Sequence, residues 1–410
     1  MRRLAIGLLL AAASLVLAGV AGEAVLRLFP SLISREVLIG FNPDLRGRIA
    51  VHLKLPTKQA RRCLGPAERS DGGPELCLMP PGYVHRPGAD RADLELGAVL
   101  ELPQDAKGFC NPPAAEREYA TLVVLGDSFT WCSFVPPEAT YTALLGQELG
   151  QVSYNLGFPA IGPYDHLEIF RKFGAALRPS IVVLSFYEGN DLRDTLRFVH
   201  WREEQGPAES TWRQLIRANS YFVNFVAGSI RVLVSRHTKP RVDHTYTVPQ
   251  NGQEVAMNVT GAELGEAGAG RRLLAGEIDL SVLRAPIRQF HELARSNAFV
   301  PVLAYLPSAS TAFASSARFA DGAVREAAQE LSRRQRTALA DLAREQGIAY
   351  VDCTPLFQAE APTGELAYFP ANLHFTRRGH ALAATCLRDM LRDLLREGVV
   401  ESPPPGERAG

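Results

Sequence analysis

Thr121-Leu122-Val123-Val124-Leu125-Gly126-Asp127-Ser128-Phe129-Thr130 is the stretch whose reading decides the fold. Leu122 to Leu125 are apolar without alternation, so both faces of the segment need burial. That pattern suits a central strand of a parallel sheet. Gly126 and Asp127 break the strand and leave Ser128 on the turn at its C-terminal end. Open α/β sheets bind ligands beyond the carboxyl ends of their strands. A serine on such a turn also serves simply as a helix cap, so the rest of the chain has to decide between the two roles.

Downstream the pattern alternates between strand and helix. Tyr141, Leu144, Leu145 and Leu149 recur at helical spacing, and Gly150 closes that helix. Residues 152–155 form a second short strand, followed by a Gly/Pro turn at 157–163 and a helix over about 164–177. A third strand, 181–185, runs into Glu188-Gly189-Asn190-Asp191. Right-handed crossovers make these strands parallel, so Ser128, the Gly157 turn and Asn190 converge on one edge. The pattern loosens over about 196–280, which reads as an insertion able to cover that edge. It holds a helix at 221–234 and a hairpin at 243–259 around Asn251-Gly252. Helices at 283–294, 324–346 and 382–395 and strands at 299–305 and 348–351 complete the pattern. The fold class expected over 119–400 is a three-layer, flavodoxin-like parallel α/β sheet with helices on both faces. Residues 31–118 read as loops and a few short strands, and 401–410 as a disordered tail.

The 410 residues carry 44 Lys+Arg against 44 Asp+Glu, a formal net charge of zero. No basic block with interleaved aromatics is present, which argues against nucleic acid as a partner. Arg2 and Arg3 precede an uncharged apolar run over 4–22, long enough to span a bilayer. The flanking arginines favour the cytoplasmic side, so the remainder is expected to be translocated. A cleaved signal peptide is the alternative within 1–30. The run exceeds a usual signal core, lacks a clean Ala-x-Ala site, and continues past Glu23 through Val25, Leu26, Leu28 and Phe29. These features favour an uncleaved anchor. In either case the main domain lies outside the cytoplasm. Six cysteines suit an oxidising compartment. They include no Cys-x-x-Cys, so no zinc site is expected. Proximity across a Gly/Pro-rich loop suggests a Cys63–Cys77 pair, with buried thiols as the alternative.

A serine nucleophile needs a base and donors for the oxyanion. Of nine histidines, His374 lies between the last strand and the last helix, on the loop that reaches the Ser128 edge. His380 falls at the start of the final helix. His166 and His291 sit within helices, as packing or surface residues.

Together these pieces resemble the SGNH (GDSL-like) hydrolase superfamily over about 120–396, apart from the insertion. Gly126-Asp127-Ser128 with Thr130 matches its first block and Asn155-Leu156-Gly157 the start of its second. Gly189-Asn190-Asp191 matches the third, and His374 with Gly379-His380-Ala381 the last. The apolar N-terminus is similar to that of an exported, membrane-anchored subgroup. The resemblance implies that Ser128 is the nucleophile and His374 the base. It also implies an oxyanion hole built from the Ser128 N–H, the turn at Gly157 and Ala160, and the Asn190 side chain. Two departures stand out. Ala160 replaces the usual glycine of the second block. Asn372 and Ala371 stand where the family places the triad aspartate. Asn372 can hydrogen-bond the imidazole but lacks the charge to stabilise imidazolium. In serine proteases an Asp→Asn change costs about 10⁴ in kcat. Asp352 is the substitute acid to consider, although some members work as Ser–His dyads. Similar anchored members commonly carry Arg and Gly at the places of Cys110 and Cys132, so two unusual cysteines near one strand suggest a bond between them. The implied function is an extracytoplasmic serine esterase that removes acyl groups, acetyl among them, from an envelope glycan or lipid through an acyl-enzyme. Alternatives are an O-acyltransferase using the same serine, and a non-catalytic glycan-binding or scaffold protein that has lost the triad acid. No metal or organic cofactor is implied.

Overall fold

The computed structural model describes residues 2–34, scattered positions from 37 to 111, and residues 118–397 except 160, 204–211, 238–243, 259–265 and 371. Ala160, Ala371 and the tail 401–410 thus lie outside the described residues.

Five strands form the central sheet: β1 (Leu122–Gly126), β2 (Ser153–Gly157), β3 (Ile181–Tyr187), β4 (Val300–Leu306) and β5 (Ala349–Asp352). All neighbours are parallel, in the spatial order β2-β1-β3-β4-β5. This is the expected flavodoxin-like order, whose topological switch point lies between β1 and β3. Side chains alternate between the faces of a strand, and each face has its own core. Val123, Leu125, Val182 and Leu184 join Leu167, Phe170, Ile287, Phe290 and Leu339 on one side. Leu122, Val124, Ile181 and Val183 join Tyr141, Leu145, Leu382, Leu387 and Leu391 on the other. An unalternating apolar run was therefore the right signal for a strand sandwiched between helix layers.

The helices follow the sequence pattern, with better-defined ends. Tyr141–Leu149 is capped by Thr140 and closed by Gly150 in the left-handed region (φ 63°). Gly322–Gln346 is capped by Asp321 and closed by Gly347 (φ 66°). The helix expected over 164–177 is not uniform. Pro163–Ile169 is α-helical, Phe170–Gly174 makes a π turn, and Ala175–Leu177 a 3-10 turn. The Phe170 ring fills the place where a Gly174 side chain would stand.

The chain divides into two compact units. One comprises residues 1–62 and 204–241, the other 63–203 and 242–410. The insertion foreseen at 196–280 is therefore split. Its hairpin, His244–Gln250 with Gln253–Asn258, belongs to the sheet-bearing unit and gains Arg318–Phe319 as a third strand. Tyr246, Val248 and Met257 bury their side chains in that unit's core. In the other unit, the helix Arg2–Leu28 packs on Tyr221–His237. The Glu23 carboxylate accepts the Tyr221 N–H (3.1 Å), the Phe222 N–H (2.8 Å) and the Ser220 hydroxyl (2.8 Å). It satisfies donors that a helix start leaves open. Among the described residues no helix is long and apolar enough to cross a membrane, so the spanning expectation for 4–22 gains no support from the fold.

Disulfides join Cys110 to Cys132 (Cα–Cα 5.7 Å) and Cys353 to Cys386 (Cα–Cα 5.6 Å). The first was expected from the resemblance, whereas the second had no sequence signal. Cys63 and Cys77 stand opposite each other in a short antiparallel ladder.

Candidate active site

The turn after β1 is fixed by contacts that explain its sequence. Thr130 Oγ1 occupies the place where a side chain on Gly126 would lie, and it bonds the Tyr141 hydroxyl at 2.7 Å. That hydroxyl in turn bonds Ser185 Oγ on β3 at 2.7 Å. Asp127 Oδ1 accepts the Phe129 N–H at 2.8 Å, and Ser133 Oγ donates to the Ser128 carbonyl at 2.9 Å. Ser128 is thereby held at the carboxyl end of β1, beside the switch point.

His374 reaches Ser128 from the loop before the helix Arg377–Arg396. Its Nε2 lies 2.9 Å from Ser128 Oγ, within the range for proton transfer between nucleophile and base. The loop is a tight return in which Phe369 N–H donates to His374 O (2.8 Å) and Leu373 N–H donates to Phe369 O (2.8 Å). Leu373 sits at φ 60°, unusual for a non-glycine residue. The imidazole lies parallel to the Phe129 ring (centroids 4.8 Å, 17°) and meets the Phe134 ring at an angle (5.5 Å, 61°). Tyr187 stacks on Phe129 at 3.5 Å. The stack Tyr187–Phe129–His374 runs from the end of β3 to the base. Its only sequence cue was the position of Phe129 directly after Ser128.

Asn372 does not orient the imidazole. Its Oδ1 accepts the His374 main-chain N–H at 3.0 Å, the local turn bond that an Asn makes two residues along the chain. Among the described residues, its Nδ2 and the His374 Nδ1 are both buried without a hydrogen-bond partner. Asp352, the substitute acid considered from sequence, is engaged elsewhere. Its Oδ2 pairs with Arg336 Nε at 2.6 Å and its Oδ1 accepts the Thr354 N–H at 2.9 Å. Both oxygens are thus committed on the edge strand β5. Burial pushes His374 down to about 4, opposed by a main-chain interaction with Asn372. The imidazole is therefore neutral near pH 7 and free to accept a proton. His380 begins the last helix, where its Nδ1 accepts the Tyr141 N–H at 3.3 Å. Burial pushes it down to about 3, with His374 adding to the shift.

The expected oxyanion donors carry other hydrogen bonds. Asn190 follows β3, the strand next to β1, and donates its amide to Asp194 Oδ2 at 2.9 Å; its side chain also acts on the Asp127 carboxyl beside Ser128 and opposes the upward shift there. The Gly157 N–H is not free, because it donates to Asn155 Oδ1 at 2.8 Å. Gly157 is glycine for packing: a side chain there would press on the Trp131 N–H and Thr130. Asn155 also donates Nδ2 to the Thr130 carbonyl at 2.7 Å, so the second block braces the serine loop. Three buried carboxyls surround the loops. Burial pushes Asp127 up to about 7. Burial and then Asp127 push Asp191 well above the carboxylate range, while its Oδ2 accepts the Tyr187 N–H at 2.8 Å. The third is Asp194, whose Oδ1 pairs with Arg193 and Arg197, each at 3.3 Å. No group able to hold a metal occurs among the described residues. A separate cavity beside Cys110, Pro137, Thr140 and Ser153 contains none of these site residues.

No family model and no curated protein matches the chain. Solved structures similar in part are SGNH/GDSL-type hydrolases. A GDSL-like lipase from Bacteroides thetaiotaomicron is 14% identical over 66% of this chain and 87% of its own, with a TM-score of 0.34. An extracellular lipase from Streptomyces rimosus is 14% identical over 66% and 98%, with a TM-score of 0.36. An acetyl xylan esterase variant from Geobacillus stearothermophilus is 14% identical over 70% and 99%, with a TM-score of 0.34. Likenesses this distant assign neither activity nor substrate to the chain.

Proposed function

We propose that the protein is a serine esterase in which Ser128 and His374 act as a dyad. The observation that carries this reading is the 2.9 Å contact between Ser128 Oγ and His374 Nε2 at the switch point of a parallel sheet. In this reading the neutral imidazole takes the Ser128 proton as Oγ attacks an ester carbonyl, then returns it to the leaving alcohol. Water deacylates the enzyme with the same base. The Ser128 N–H and the Asn190 side chain serve as oxyanion donors. Gly157 is dropped from this set, and Ala160 is retained from the resemblance alone. The substrate proposed is an acylated envelope glycan or lipid. Two disulfides support a site outside the cytoplasm. Membrane attachment through residues 4–22 rests on sequence alone. The test is hydrolysis of p-nitrophenyl acetate by wild type and Ser128→Ala, then release of acetate from acetylated polysaccharide with and without an added glycan acceptor. Equal rates for wild type and Ser128→Ala would overturn the esterase reading. Transfer to the acceptor in place of acetate release would make the protein an O-acyltransferase.

His374 Nδ1, without a partner among the described residues, favours a second reading, a non-catalytic binding protein that kept the fold after losing the acid. Turnover lost on Ser128→Ala would exclude it.

A further inference from the structure

The exposed apolar surface is concentrated in one unit. Of fourteen large apolar side chains exposed among the described residues, twelve belong to the unit of residues 1–62 and 204–241; the others are Tyr119 and Leu274. The helix Tyr221–His237 carries two apolar faces. Phe222, Phe225 and Val232 pack inward on Leu26, Ile33, Val37 and Phe41, and Gly228 lets the helix approach the Val37 carbonyl closely. The opposite stripe, Val223, Val226, Ile230 and Leu233, stays 38% to 59% exposed. Its spacing of three, four and three residues places it on one side of the helix. Leu28, Phe29 and Leu32 at the end of the first helix are exposed as well.

The occupant of this surface follows from length and charge. Seventeen residues span about 25 Å, short of the ~30 Å hydrocarbon core, so this helix is suited to lie in an interface rather than cross it. The helices Trp212–Asn219 and Tyr221–His237 have four arginines and no Asp or Glu in their sequences, and of these Arg217 and Arg231 are exposed. Basic residues beside an exposed apolar stripe complement an anionic lipid surface. A face made for a second protein would not need cations without any acid. We propose that the helix Tyr221–His237 is an interfacial membrane-docking element that buries Val223, Val226, Ile230 and Leu233 among the lipids of an anionic bilayer. This inference is independent of the proposed esterase activity. It gives the split insertion a role other than covering the site.

The test uses the full chain reconstituted in vesicles of phosphatidylcholine with increasing phosphatidylglycerol. A benzoylphenylalanine photo-crosslinker replaces Val226 or Ile230 in separate variants, and Leu274, exposed in the other unit, serves as control. The expected result is lipid adducts at 226 and 230, rising several-fold with the phosphatidylglycerol fraction, and little adduct at 274. Crosslinks from 226 and 230 to a second copy of the chain would overturn the proposal, as would absent lipid adducts or yields equal to those at 274. The readout is covalent capture, so it remains decisive even if the protein hydrolyses no ester.

Discussion

Replacing Asn372 by Asp puts a carboxylate where the site lacks one, with almost no change of shape. Oδ1 can still accept the His374 main-chain N–H. The second oxygen replaces a buried Nδ2 that has no partner among the described residues, so the change also removes an unsatisfied donor. The magnitude follows from His374, which burial holds at about 4 against an ordinary 6.5. Restoring the ordinary value raises it by about 2.5 units, or about 3.4 kcal/mol of imidazolium stabilisation. Fully expressed in the transition state, that is a few hundred-fold in acylation. The serine-protease comparison sets a ceiling near 10⁴. The sign of the pH effect is also fixed. The base works in its neutral form, so the acid limb of kcat/KM lies near pH 4 in the wild type and moves upward in the variant. The gain should therefore be larger at pH 8 than at pH 5. The assay is kcat/KM for p-nitrophenyl acetate across that range, with Asp352→Asn as a control that should lose nothing. A folded Asn372→Asp enzyme that is no faster, with an unmoved acid limb, would refute the reasoning. If Asp352→Asn also lost activity, Asp352 would be the working acid.

Three further outcomes follow from the packing. Removing the Cys110–Cys132 bond by a double Cys→Ala change should cost about 3 kcal/mol for a separation of 22 residues, read as a lower denaturant midpoint than wild type. Gly157→Ala should destabilise by about 1–3 kcal/mol, because the added methyl meets the Trp131 N–H and Thr130; unchanged stability would contradict that packing. His166 is fully buried, its ring nitrogens have no partner among the described residues, and burial pushes it down to about 3 from 6.5. The unfolded chain therefore binds an extra proton below pH 6.5, and the stability advantage of His166→Leu over wild type should grow by about 2 kcal/mol between pH 8 and pH 5; a constant difference in urea unfolding would show a partnered imidazole.

Much of the sheet was legible because its strands signal burial on both faces. Leu122 to Leu125 could not have belonged to a half-exposed strand, and Gly150 marked a helix end, whereas the caps Thr140 and Asp321 came only with the structure. The two ends of the site, Ser128 and His374, were legible because each stands on a loop at the carboxyl edge. What was missed depends on contacts remote in sequence. The engagement of Asp352 by Arg336 of the preceding helix and the Tyr187–Phe129–His374 stack arise only when separate elements meet, whereas the use of the Gly157 N–H by Asn155, two residues away on β2, is a local bond that the strand pattern does not show. The split of the insertion has the same origin. Helix Tyr221–His237 reads as apolar on both sides, and sequence alone does not say that one side packs on the segment after the first helix. The Cys353–Cys386 bond joins the segment after β5 to the last helix, a proximity fixed by topology rather than by spacing.

The central claim is that Ser128 is a nucleophile activated by His374. Intact-mass analysis after reaction with a fluorophosphonate, followed by peptide mapping, tests it most directly. The account predicts a single adduct on Ser128, absent in Ser128→Ala and formed far more slowly in His374→Gln. An adduct on another residue, or equal labelling of wild type and His374→Gln, would contradict it.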